Sequence, residues 1–95
     1  MNDTKIRAIV AGALGRTGGE VVSALLGGDF AKISLACGVD LRATAGETRG
    51  GAPIYADFDN ISEAADVMID FSSAQGLTAR LEFAKKRGIC MVLAP

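Results

Sequence analysis

Short apolar runs alternate along this chain with stretches whose apolar residues recur every three to four positions. Ile6-Arg7-Ala8-Ile9-Val10-Ala11 is mostly apolar and stops at Gly12, the pattern of a strand buried on both faces. After a glycine-rich turn, Val21, Val22, Leu25 and Leu26 fall at helical spacing, and Gly27-Gly28 end that helix. Ile33-Ser34-Leu35-Ala36-Cys37-Gly38-Val39 predicts a second strand that runs out at Asp40. Residues 41–60 have no clear period; Gly46, Gly50, Gly51 and Pro53 mark a loop, with a short strand near Ile54 and Tyr55. Asn60 or Ser62 is expected to cap a short helical turn reaching Ala65. Val67-Met68-Ile69-Asp70-Phe71 predicts the next strand. Ser72-Ser73-Ala74-Gln75 then matches a capping box, in which a hydroxyl and a glutamine three residues on satisfy two free amides. Leu77, Leu81 and Ala84 are expected to line the inner face of the helix that follows, with Phe83 beside them and Gly88 at its end. Ile89–Leu93 predicts the last strand.

Strands and helices that alternate through short connections make a parallel sheet with right-handed crossovers and helices on both faces. The fold class is therefore α/β. With 95 residues the chain holds one domain, residues 1–95, and no linker or repeat divides it. Ten basic residues balance eleven acidic ones. The single basic run, Lys85-Lys86-Arg87, falls at a helix end, where cations meet the negative pole of the dipole. Neither nucleic acid nor a membrane surface is an expected partner. The chain has no histidine and no paired Cys-x-x-Cys, which excludes the usual zinc sites and Ser/His or Cys/His catalysis. Cys37 and Cys90 sit in apolar runs, as buried thiols of a reducing compartment do. No run is long enough to span a membrane and no secretory segment opens the chain, so a cytoplasmic location is expected.

The chemistry concentrates between the first strand and the first helix. Gly12-Ala13-Leu14-Gly15-Arg16-Thr17-Gly18 has the spacing GxxGxxG. A chain that turns sharply from strand to helix needs glycine where φ is positive. A missing side chain lets a pyrophosphate approach the backbone, and the last glycine lets the helix pack close to the sheet. The amides at the helix start then face the phosphates with a partial positive charge behind them. Asp40 stands 22 residues after Gly18, at the end of the second strand. A carboxylate there accepts both hydroxyls of an adenosine ribose and repels a 2′-phosphate. Arg42 is either a contact for such a phosphate or a solvated loop cation. Asp70, Phe71 and Ser72 close the third main strand and share the same carboxyl rim. Phe71 is placed to flank the nicotinamide or its ribose. Asp70 reads as a loop anchor in preference to an acid catalyst. Together these features predict a Rossmann-type open parallel sheet that is expected to bind NADH or NADPH.

The sequence also resembles the dihydrodipicolinate reductase family of lysine and diaminopimelate biosynthesis. The resemblance runs through Ile6–Gly18 with its GxxGRxG turn, Asp40, Ile69-Asp70-Phe71-Ser72, and the strand Met91-Val92-Leu93-Ala94. It implies a two-domain enzyme whose N-terminal domain binds the nicotinamide dinucleotide. A C-terminal domain would hold the substrate, supply catalytic His and Lys motifs and build a tetramer. By the same resemblance Gly12, Ala13, Leu14, Gly15, Arg16 and Thr17 cradle the pyrophosphate, and Asp40 takes the adenosine ribose. Phe71 and Ser72 line the cofactor site, and Ala94 begins the segment at the nicotinamide end. Leu41 stands where some members place an arginine for the NADPH phosphate, and Pro95 follows Ala94 where members usually continue with a Gly/Ala-Thr-Thr-Gly segment.

The resulting expectation is a truncated Rossmann-type domain, the cofactor half of an oxidoreductase, inactive without its substrate domain. The alternative from another class is a free-standing nucleotide-binding or sensor module without catalysis. Other oxidoreductases with a GxxGxxG turn, such as aspartate or diaminopimelate dehydrogenases, share the strand-turn-helix, but Asp70-Phe71-Ser72 favours the reductase. A sheet cut after its fourth main strand leaves an edge and an apolar face bare, so self-association at high concentration is also expected.

Overall fold

The computed structural model describes residues 5–28, 30–73 and 75–94. β1 (Ile6–Ala11) leads through the glycine turn into α1 (Arg16–Leu26), and β2 (Ile33–Val39) follows. A small hairpin, β3 (Thr48–Arg49) and β4 (Ala52–Tyr55), comes next, then a 3₁₀ turn over Phe58–Asn60. β5 (Val67–Asp70), α2 (Leu77–Arg87) and β6 (Cys90–Leu93) complete the described chain. The sheet order is β3-β4-β2-β1-β5-β6, with every pairing parallel except β3 with β4. Chain order runs outward from β1 in one direction to β4, then jumps back across β1 to β5. That reversal is the topological switch of a Rossmann-type sheet, beside which such sheets bind ligands.

Alternation along β1 divides the core. Ala8 and Val10 point to the α1 face and pack with Val22, Leu25 and Ile54. Ile9 and Ala11 point the other way, to Met68, Ile61, and to Ala84 and Ile89 of the α2 side. Helices thus cover both faces, as expected. On the α1 side of β5 and β6, however, Val92 remains 50% exposed, and Cys90 is exposed as well. Cys37 is the opposite case: it lies buried on β2 beside Ile9, and that burial, with Glu63 nearby, pushes its thiol up to about 12. Among the described residues, no helix is long and apolar enough to cross a membrane.

Four local expectations are corrected. The Gly50-Gly51 loop is a two-residue hairpin, with Arg49 paired to Ala52 and both glycines at positive φ, 58° and 87°. Mirror-image turns of that kind match the twist of the flanking strands. The short helical turn lies earlier than Asn60 or Ser62 suggested, because the Asp57 side chain accepts the Asn60 N–H at 3.2 Å and starts the turn at Phe58. The capping box does not form. Gly76, at φ 85°, precedes α2 with no side-chain cap, while the Ser72 amide and hydroxyl both donate to Asp70. Ala74 lies outside the described residues. Finally, α2 turns Arg80 and Ala84 inward and leaves Leu81 46% exposed and Leu77 half-buried. A buried ion pair between Arg80 and Asp70, not the spacing of the leucines, sets the helix rotation.

Candidate functional site

Register places the site. Ala11 pairs with Val39 on one side and Asp70 on the other, and Asp70 pairs with Leu93. Gly12, Asp40, Phe71 and Ala94 are the next residues of their strands, so they stand side by side along one carboxyl rim. Backbone bonds tie the row: Gly12 N–H donates to the Val39 carbonyl at 2.8 Å, Phe71 N–H to Ala11 at 2.9 Å, and Ala94 N–H to Asp70 at 3.0 Å.

The three glycines of the turn have three different jobs. Gly12 has φ 81°, and a Cβ there would stand 3.0 Å from the Phe71 carbonyl carbon and 3.1 Å from the Ser72 nitrogen. Both its conformation and its crowding require glycine. Gly18 is limited by space alone, since a Cβ would sit 2.1 Å from the Gly12 carbonyl oxygen. It brings the first turn of α1 against the loop. Gly15 is different. Its φ is −77°, and a Cβ would meet nothing nearer than 3.4 Å. Neither backbone geometry nor internal packing demands glycine at this position, so the space beside it is open to a ligand. Gly15 is also the residue at which α1 begins, with no side-chain cap and no acidic residue in the first turn. Ala13 is buried and Leu14 half-buried in the α1-side core, so these two offer only backbone to the rim. The Arg16 and Thr17 side chains are exposed.

Asp40 is fixed to this turn. One carboxylate oxygen accepts the Leu14 amide at 2.9 Å, and the other accepts the Arg42 amide at 3.0 Å. The Arg42 guanidinium binds both oxygens, Nε at 3.0 Å and Nη2 at 2.9 Å. The Arg42 side chain holds the Asp40 carboxyl down at about 2, against the upward push of burial and with help from the two amides. Asp40 is therefore ionised throughout the neutral range. Sequence reading treated Asp40 and Arg42 separately; the structure joins them in one bidentate pair that leans toward Gly15, with Nη2 3.6 Å from a Cβ built there.

Asp70 is a loop anchor, as its position suggested. It is 2% exposed and accepts the Ser72 amide at 2.9 Å, the Ser72 hydroxyl, and Arg80 Nε at 2.6 Å. Arg80 was not singled out from sequence, because an arginine in a helix reads as solvated unless its partner is known. Phe71 is half-buried against the α1-side core. Between the loops that follow β2, β4 and β5 lies a cleft of about 620 Å³, lined among others by Asp40, Leu41, Phe58, Gly76, Ala79 and Arg80. Its mouth holds Leu41, 91% exposed. Among the described residues, no three His, Cys, Asp or Glu side chains are grouped to hold a metal ion.

The model of the family described as "Dihydrodipicolinate reductase, N-terminus" matches residues 6–94. The chain belongs to that family. Two solved structures share its fold. One is a dipicolinate-bound dihydrodipicolinate reductase from Paenisporosarcina sp. TG-14, with TM-score 0.79 and 14% identity over 97% of this chain and 38% of that one. The other is an apo scyllo-inositol dehydrogenase from Lactobacillus casei, with TM-score 0.78 and 18% identity over 98% of this chain and 29% of that one. The dihydrodipicolinate reductase match thus gives the six-stranded chain a place as the N-terminal, Rossmann-type domain of a reductase family, and the chain spans well under half the length of either solved relative.

Proposed function

We propose that this chain binds NADH or NADPH as the cofactor domain of a dihydrodipicolinate-reductase-type oxidoreductase of lysine and diaminopimelate biosynthesis. The observation that carries the reading is Gly15. It is the one glycine of the turn that the fold itself does not need, and it lies between the start of α1 and the Asp40 carboxylate. A pyrophosphate over Gly15 meets the amides of Arg16 and Thr17 and the positive end of the helix, while the Gly12, Ala13, Leu14 and Gly15 amides hold the loop in shape by donating to Val39, Asp40 and Gly12. Asp40, ionised and held in place by Leu14, accepts the adenosine ribose hydroxyls. Arg42 shifts aside from one carboxylate oxygen to admit them. Phe71, Ser72 and Ala94, on the same rim, flank the nicotinamide half.

The bound dinucleotide supplies a hydride from its nicotinamide ring. This chain contributes binding and orientation, which shape the reaction without any proton transfer of its own. A substrate domain outside these residues would present the acceptor, and the exposed β6 side chains Cys90 and Val92 are a surface on which further chain, or a second copy at high concentration, would pack. The test has two parts. Calorimetric titration of the chain with NADH and with NADPH is expected to give saturable binding of at least one. An assay of substrate-dependent NADH oxidation is expected to stay at its blank. Absence of binding by a well-folded chain would remove the proposal, and turnover by the chain alone would contradict the division of labour.

A further inference from the structure

We infer that Arg80 is a positioning residue of the nucleotide cleft, which holds the β5–α2 loop as the wall against which the adenine ring lies. The inference rests on the nucleotide reading above and adds to it a residue that neither the glycine motif nor the rim register identifies.

Arg80 is 7% exposed and reaches three points at once. Its Nε donates to Asp70 at 2.6 Å, its Nη1 to the Gln75 carbonyl at 3.0 Å, and its Nη2 to the Ser73 carbonyl. Burying a guanidinium costs free energy that a carboxylate and two carbonyls offset but seldom exceed. A buried apolar residue of similar volume would pack α2 on the sheet at least as well. The same helix carries Leu77 and Leu81, either of which satisfies that need, yet it turns Leu81 to solvent and the arginine inward. What an apolar residue does not do is bind two carbonyls of an irregular loop. The guanidinium does so with nitrogens in a rigid plane.

That loop forms one side of the cleft. Ser73, Gln75 and Gly76 line it, with Ala79 of α2 beside them. Leu41 and Phe58 stand on the other side. A nucleotide whose ribose is held at Asp40 directs its base into this recess, between Leu41 and Phe58 on one side and a wall of Ser73, Gln75, Gly76 and Ala79 on the other. Gly76 has φ 85°, and a Cβ there would come 3.2 Å from Arg80 Nη1, so the guanidinium runs directly beneath the wall. Loss of the clamp frees the wall without touching the glycine turn.

The experiment compares the full chain with Arg80→Lys, which keeps a positive charge beside Asp70 but gathers its donors on one nitrogen. Calorimetry with ADP-ribose reads the adenosine subsite, and calorimetry with inorganic pyrophosphate reads the glycine turn alone. Arg80→Lys is expected to weaken ADP-ribose by tenfold or more and to leave pyrophosphate within twofold. If Arg80→Lys fails to fold, the pair Asp70→Asn with Arg80→Met, which removes both buried charges, is judged by the same two ratios. Unchanged ADP-ribose affinity overturns the inference while the nucleotide reading stands. Equal losses for both ligands overturn it too, because they mark a general structural role. If the unsubstituted chain binds neither ligand, the nucleotide reading and this inference fall together.

Discussion

Gly18→Ala is expected to destabilise the chain by about 3 kcal/mol, at the upper end of what overpacking commonly costs. The added methyl would sit 2.1 Å from the Gly12 carbonyl oxygen and 2.8 Å from its carbon. Both are backbone atoms, so no side-chain rotation relieves the clash. Either α1 must lift from the turn or the turn must move, and the turn is itself pinned to Phe71 and Ser72 by the crowding at Gly12. Small domains have only a few kcal/mol of stability to lose. The urea midpoint of unfolding is therefore expected to fall by more than half, and much of the chain to be unfolded in water. A shift of less than about 0.5 kcal/mol, the range of ordinary surface substitutions, would show that the helix does not pack on the turn as described.

Gly15→Asp, three residues earlier in the same motif, is expected to do the reverse. The fold admits a side chain there: the nearest contacts of a Cβ are 3.4 Å from the Gly12 carbonyl oxygen and 3.6 Å from Arg42 Nη2. A carboxylate at the start of α1 is favoured by the helix dipole and lies near a guanidinium. Stability should change by less than about 0.5 kcal/mol. Affinity for NADH and NADPH should fall at least 100-fold, about 2.7 kcal/mol, because the carboxylate fills the place of the pyrophosphate and repels it. Retained affinity in a folded Gly15→Asp chain would mean that phosphate does not approach this residue. The two substitutions separate what the turn does for the fold from what it does for a ligand.

Most of the architecture was legible in the sequence because buried parallel strands are continuous apolar runs. Ile6–Ala11 and Ile33–Val39 have the bounds that their composition predicts, and α1 ends before the Gly27-Gly28 pair as expected. Gly88 likewise ends α2 in the left-handed conformation, φ 68°. The two misreadings around α2 share one cause: a side chain taken up by the Asp70 carboxylate. The Ser72 hydroxyl, read as a helix cap, is taken by Asp70. The leucines of α2, read as its inner face, yield to Arg80, whose carboxylate partner lies ten residues away on β5. The Gly50-Gly51 hairpin was hidden because β3 is two residues long and carries no apolar pattern, Thr48 and Arg49 both being exposed.

The site was legible in part for the same reasons. Glycine spacing and a carboxylate at the end of β2 announce themselves in one dimension. Sequence does not say which glycine is free for a ligand, since Gly12, Gly15 and Gly18 look alike until a Cβ is placed on each. Nor does it show that Asp40 is already bound by Leu14 and Arg42, a contact that depends on β1 and β2 pairing in register. The cleft wall was invisible, because it depends on an arginine turned inward.

The central claim is that a nicotinamide dinucleotide lies across the carboxyl rim, over the glycine turn. Titration of the ¹⁵N-labelled chain with NADH, followed residue by residue through its amide resonances, tests it most directly. The account predicts saturable shifts at Gly12 through Thr17, Asp40, Phe71, Ser72 and Ala94, with the β3–β4 hairpin unmoved. Shifts confined to residues away from that rim, or none at all in a chain with a well-dispersed spectrum, would contradict it.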